Sequence, residues 1–136
     1  MSVVFADTFY WIAFTNIQDS AHEKAKALGL KRTTIVTTHE VLTEYLNYFA
    51  AWGPNFRSKA LINTRNIMDS KSVKVVPQTP ASFLRGLELY GARLDKGYSL
   101  TDCISMQSMR AEGITDALTN DAHFEQEGFR ALFRDS

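Results

Sequence analysis

Short apolar runs alternate with helical periodicities along the whole of this chain. Val3-Val4-Phe5-Ala6 is too brief for a helix and suits a strand buried on both faces. Asp7 ends it, and Thr8 opens an aromatic-rich segment. Ser20-Ala-His-Glu23 has capping-box spacing, and the helix it predicts runs to Gly29. Ile35-Val36 is a second short strand. Thr37-Thr-His-Glu40 is another capping box, opening a helix through about Ala51 with Gly53-Pro54 behind it. An amphipathic helix follows from Phe56 to Ser70, then a third strand, Val73-Lys-Val-Val76. Thr79-Pro80 starts a helix with Thr as N-cap and Pro in its first turn, although Gly91 weakens its end. Ser99-Leu-Thr-Asp102 caps the next helix, which stops near Gly113. Ile114 to Leu118 is a fourth strand, Asp121 to Gln126 a helical turn, and Arg130 to Phe133 a last strand-like piece. Strand–helix alternation of this kind predicts an α/β fold, a parallel sheet of four to five strands between layers of helices.

Composition narrows the class. At 136 residues, 45% of them hydrophobic, the chain suits one domain over 1–136 with a substantial core, and general disorder is excluded. The single cysteine, Cys103, cannot form an internal disulfide, and the N-terminus lacks a secretory pattern. Both point to the cytoplasm. No apolar run approaches a membrane span. The 15 basic residues balance 15 acidic ones, so any nucleic-acid contact must use a local patch. Arg57, Lys59 and Arg65, or Arg93 and Lys96, are candidates, though solvated helix faces carry such charges routinely.

The acidic residues carry the chemical signal. In a parallel sheet, residues just past the strands' carboxyl ends gather on one edge with the N-termini of the following helices. Asp7, Asp102 and Asp121 obey that rule, and Glu44 reaches the same edge if its helix leans over the sheet. Asp116, at the start of its strand, belongs to the opposite edge. Glu40 has a local task as the capping-box acid, whereas Glu44, among Val41, Leu42 and Tyr45, has none and would be costly beside an apolar stripe. At the N-terminus of its helix, Asp102 should stay ionised. Asp7 reads equally as a helix cap. Two carboxylates about 4 Å apart repel by roughly 4 kcal/mol at an effective dielectric of 20. Four together are tolerable only with protons or cations between them. An all-oxygen set suits Mg²⁺ or Mn²⁺, and hence metal-assisted phosphodiester hydrolysis.

Four blocks taken in order, Val-Phe-Ala-Asp7-Thr, Val41-Leu-Thr-Glu44, Ser-Leu-Thr-Asp102-Cys-Ile-Ser and Leu-Thr-Asn-Asp121-Ala-His-Phe, resemble the PIN-domain ribonucleases. Within them the chain is similar to the VapC-type toxins of prokaryotic toxin–antitoxin pairs. The resemblance implies a PIN-like three-layer α/β/α sandwich and endonucleolytic cleavage of RNA. It implies Asp7, Glu44, Asp102 and Asp121 as the metal-holding catalytic quartet, with Thr8 and Thr119 in support. Asn120 stands where relatives often carry an apolar residue. The toxin subgroup further implies homodimers and a small antitoxin protein that blocks the site.

Other residues have simpler readings. His39 and His123 lack a triad arrangement and suit structural or surface roles. Cys103 suits a buried thiol. Phe9, Tyr10 and Trp11 either stack on RNA bases or fill the core. Tyr48 and Trp52, beyond the main stripe of their helix, suit either a partner surface or a deep core. The competing functions are a PIN-type nuclease of RNA processing without an antitoxin, a catalytically silent RNA-binding module, and a phosphatase-like α/β protein. The last would need a nucleophilic Asp with a Lys after a late strand, and no Lys stands there.

Overall fold

Val4, Phe5 and Ala6 have no side-chain position that meets water, and the run containing them becomes the middle strand of the sheet. The structure is a computed structural model describing residues 2–31 and 34–135. β1 (Val3–Ala6) is followed by α1 (Thr8–Thr15), α2 (His22–Leu30), β2 (Thr34–Thr38), α3 (His39–Tyr48) and α4 (Pro54–Asp69). Then come β3 (Val73–Val76), α5 (Pro80–Ala92), α6 (Leu100–Glu112), β4 (Asp116–Leu118), α7 (Ala122–Gln126) and β5 (Arg130–Ala131). The strand order is β3-β2-β1-β4-β5, and every pairing is parallel. Phe5 lies opposite Val36 on one side and Ala117 on the other.

That order has a chemical consequence. The chain lays β2 and β3 to one side of β1, then crosses to lay β4 and β5 on the other. Where the direction of winding reverses, the loops at the carboxyl ends of β1 and β4 part and leave a crevice. Asp7 follows β1 and Asp121 follows β4, so both stand at that crevice.

Two local readings needed correction, each for a physical reason. Ser20 does not cap α2: the Asp19 carboxylate takes the Ala21 amide at 2.9 Å, and the helix begins at His22. The cap of α3 is Thr38, one residue later than the spacing suggested, with its hydroxyl accepting from the Val41 amide at 3.0 Å. Thr37 is instead turned inward and buried near the end of β2. It donates to the Ala6 carbonyl and accepts from the Trp11 indole. Glu40 therefore has no capping partner, and among the described residues nothing hydrogen-bonds its Oε2. Gly91 does not stop α5, which continues to Ala92.

The Thr79 and Ser99 capping boxes form as their spacing predicts, with Ser82 and Asp102 answering their caps. Gly113 closes α6 in the left-handed conformation, φ 71°, that a side chain would resist. Tyr10 and Trp11 are core residues, which decides against base stacking for them. Tyr48 and Trp52 are exposed and pack against each other, with Trp52 edge-on to Phe56, so a deep core is not what holds them. No described helix is long and apolar enough to cross a membrane.

The loop before α6 is anchored from below by one buried acid. Glu127 takes Arg93 Nε at 2.8 Å, Arg110 Nη2 at 2.6 Å and the Tyr98 hydroxyl at 3.1 Å. Burial alone would push this carboxyl up, but the three donors together hold it down at about 2. Arg93 is thus committed to an ion pair rather than free for RNA. Glu127→Gln is expected to cost about 2 kcal/mol at pH 7, below the usual figure for a broken buried pair because both arginines keep partial contact with water. Since the folded carboxyl titrates below its unfolded value, this contribution is complete above pH 4.5 and fades as pH falls toward 2. Urea melts of both proteins across that range check it. Coincident midpoints at pH 7 would show that the network contributes nothing.

Candidate active site

Asp7 is the N-cap residue of α1 by backbone geometry, yet its side chain makes no capping hydrogen bond. It accepts instead from the Thr119 hydroxyl, 2.8 Å away across the β1–β4 junction. The same Thr119 oxygen accepts from the Asp121 amide at 3.1 Å, so one hydroxyl ties both acidic loops together. Asp121 caps α7, its Oδ1 accepting from the His123 amide at 2.9 Å. Asp102 answers the Ser99 cap of α6, its Oδ2 accepting from the Ser99 amide. Glu44 projects from the second turn of α3 and accepts from the Thr8 hydroxyl.

These four side chains, from α3, α6 and the ends of two strands, line one open cleft of about 510 Å³. Thr8, Phe9, Asn120 and His123 share its wall. The expectation that Asp7, Glu44, Asp102 and Asp121 converge is met in space. One argument for Glu44 was wrong, however. Its side chain is exposed rather than pressed to the apolar stripe, which runs along the other side of α3 through Val41, Leu42 and Tyr45. Asp116, as expected, stands at the other end of β4, near Arg130.

Electrostatics record the cost of this convergence. Asp7 is only 6% exposed. Burial first, and the Asp102 and Glu44 charges with it, lift its carboxyl from 3.8 to about 7, against the opposing pull of the Thr119 hydroxyl and Thr8 amide. Asp102 is also raised, by burial and by Asp121, with the Ser99 amide and His123 pulling the other way. The helix N-terminus, expected to favour the ionised form of Asp102, is thus opposed by desolvation and by the like charge of Asp121. Burial likewise raises the Cys103 thiol, leaving it a poor nucleophile.

The donor set fits a hard divalent cation. It offers carboxylate oxygens in excess of nearby positive charge, and the oxygens of Asp102 and Asp121 lie with His123 Nδ1 within 4.8 Å of one another. His123 is what the sequence reading passed over. It lies two residues after Asp121, in the first turn of α7, and that turn swings its ring back over the acids. The signal was the short Asp-x-His spacing at a helix start. His39 is structural, its Nδ1 accepting from the Gln78 amide.

The architecture and cleft can be set beside known proteins. The 23S rRNA-specific endonuclease VapC20 of Mycobacterium tuberculosis is 28% identical over 128 residues, 93% of this chain and 95% of that protein. The crystal structure of M. tuberculosis VapC20, described as a sarcin–ricin loop cleaving toxin, matches with a TM-score of 0.82 over 94% of this chain and 96% of that one. VapBC2 of Rickettsia felis, solved on a DNA fragment from its promoter, matches with a TM-score of 0.65 over 96% of each chain. At 16% identity that last likeness speaks for the fold alone. The family model of the PIN domain matches residues 4–129, nearly the full chain, and the protein therefore belongs to the PIN-domain family.

Proposed function

We propose that this protein is a metal-dependent endoribonuclease, the toxin of a VapBC-type toxin–antitoxin pair, with the whole of 1–136 serving as its nuclease domain. The observation that carries the reading is the convergence of Asp7, Glu44, Asp102 and Asp121 on one cleft at the sheet's winding reversal. The likeness to VapC20 supports RNA, and ribosomal RNA in particular, as the substrate class. Mg²⁺ or Mn²⁺ is the ion that this donor set would hold, through those four acids. When bound, it activates water and stabilises charge on the attacked phosphate and leaving oxygen.

The chain's own residues do the positioning. Thr119 orients Asp7 and, through the Asp121 amide, fixes the loop beyond β4. Thr8 orients Glu44. Both hydroxyls donate, so each holds its carboxylate in place beside the cleft. The exposed aromatic pair Tyr48 and Trp52 at the end of α3 offers a protein-binding surface, for a second copy or an antitoxin. The site of action is the cytoplasm.

The test is incubation of the purified chain with an RNA pool containing ribosomal RNA and Mn²⁺, beside Asp102→Asn. The wild type should cut, stop on addition of a chelator, and outpace the variant by about a hundredfold or more, since even outer-sphere changes at metal sites reach that size. Equal cutting by both proteins would overturn the assignment.

A further inference from the structure

His123 faces two carboxylates through a nitrogen that has nothing else to do. Its Nδ1 is shut off from solvent and has no hydrogen-bond partner among the described residues. It lies 3.4 Å from Asp121 Oδ1 and 3.5 Å from Asp102 Oδ2. A charge-assisted N–H···O bond would draw these atoms to about 2.7–2.9 Å. Two ligand atoms on one cation, each about 2.1 Å from it, stand about 3.0 Å apart at right angles and about 4.2 Å apart when opposed. The observed separations fall between those two values and outside the hydrogen-bonding range.

The ring is also held in place. Tyr98 is buried against it, ring centroids 5.1 Å apart, and is itself tethered to Glu127. The His123 amide is spent on Asp121 Oδ1, which fixes the start of α7 and the direction in which the side chain leaves it. An imidazole that merely decorated the surface would need neither constraint.

We infer that His123 is a nitrogen ligand of the ion shared by Asp102 and Asp121, and that it biases this cleft toward Mn²⁺ over Mg²⁺. The inference rests on the metal-dependent reading above. Imidazole nitrogen is a poor ligand for Mg²⁺, which keeps its waters and prefers oxygen, but binds the later divalent metals of the first transition row with growing affinity. Exchanging an oxygen position for nitrogen therefore strengthens Mn²⁺ binding while leaving Mg²⁺ nearly indifferent.

Pulsed electron paramagnetic resonance of the Mn²⁺-loaded protein reads this directly, without reference to cleavage. The expected result is an echo modulation from directly bound nitrogen that changes when the histidines carry a different nitrogen isotope and disappears in His123→Ala. Mn²⁺ binding, followed by loss of the free-ion signal, should weaken by about tenfold or more in that variant. Mg²⁺ binding, followed by competition, should change far less. Mn²⁺ bound tightly by the wild type without nitrogen modulation would overturn the inference and leave the carboxylate site standing. No Mn²⁺ bound by the wild type, or equal binding by Asp102→Asn, would instead remove the metal-dependent reading, and this inference with it. If His123→Ala misfolds, the isotope-labelled wild-type spectrum still decides.

Discussion

Asp7→Asn should make the protein more stable in the presence of chelator at pH 8 while abolishing RNA cleavage. The folded carboxyl binds its proton far more tightly than the unfolded one, with a pKa of about 7 against 3.8. For an acid shifted upward, folding costs nothing extra below pH 3.8, and stability is then lost steadily as pH rises to 7. A shift of that size corresponds to about 4 kcal/mol above pH 7. Asparagine carries no charge to desolvate, and its carbonyl can still accept from Thr119. For a chain of this length, part of that gain is enough to raise Tm by roughly 5–10 °C. The difference should vanish at pH 4, where the wild-type carboxyl is protonated too.

Adding Mn²⁺ should close the gap from the other side, because an ion that binds only the folded wild type stabilises it by mass action. Cleavage by the variant should fall by roughly a thousandfold, the equivalent of about 4 kcal/mol of transition-state stabilisation. Calorimetric melts at pH 4 and pH 8, with chelator and with Mn²⁺, measure all of this. A wild type that melts no lower than Asp7→Asn at pH 8 in chelator would show that the buried carboxylate carries no strain. Destabilisation at the focus of the cleft is the expected signature of a site built for a ligand rather than for the fold.

How much of this was readable beforehand depends on how local the deciding physics is. Capping by Thr79 and Ser99, the stop at Gly113 and the buried run before Asp7 are fixed by neighbours within four residues, and each appeared where expected. The capping box at Thr37 slipped by one residue because tertiary contacts had a prior claim. Thr37 is needed between Ala6 and Trp11, so Thr38 takes the cap, and no local pattern contains that information. Asp7, Asp102 and Asp121 were legible as a set, since each follows a strand or opens a helix in a parallel sheet, whereas Glu44 reaches them from the second turn of α3. Their rank was not. The pattern singled out Glu44 as the strained carboxylate, whereas the strained one is Asp7, because strain follows burial and burial follows packing. His123 was missed for a related reason. Its role depends on the angle at which α7 leaves Asp121 and on Tyr98 behind it, two features set by residues some 25 positions apart in the chain.

Gly86→Val should cost the protein about 3 kcal/mol or more. α5 and α6 approach so closely at this glycine that an added Cβ would stand 2.3 Å from Ile104 Cγ1 and 3.2 Å from both the Ile104 Cα and amide nitrogen. The side-chain conflict could be relieved by a rotamer change, although Ile104 is itself buried. The backbone conflict cannot, so one helix must move. Overpacking of this kind outweighs the roughly 0.5 kcal/mol gained when valine replaces glycine in a helix. Ile104 lies two residues beyond Asp102, so a shift of α6 displaces the carboxylate as well, and cleavage should fall even at temperatures where the variant remains folded. Gly86→Ala on an Ile104→Ala background separates the two conflicts. If Ile104 Cγ1 is the main obstacle, alanine at 86 should be nearly neutral there while costing about 1–3 kcal/mol in the wild type, and the double-mutant cycle will be strongly non-additive. Additive costs would mean that the Ile104 side chain is not the obstacle, and that the 3.2 Å approach of the α6 backbone sets the whole cost of a side chain at position 86.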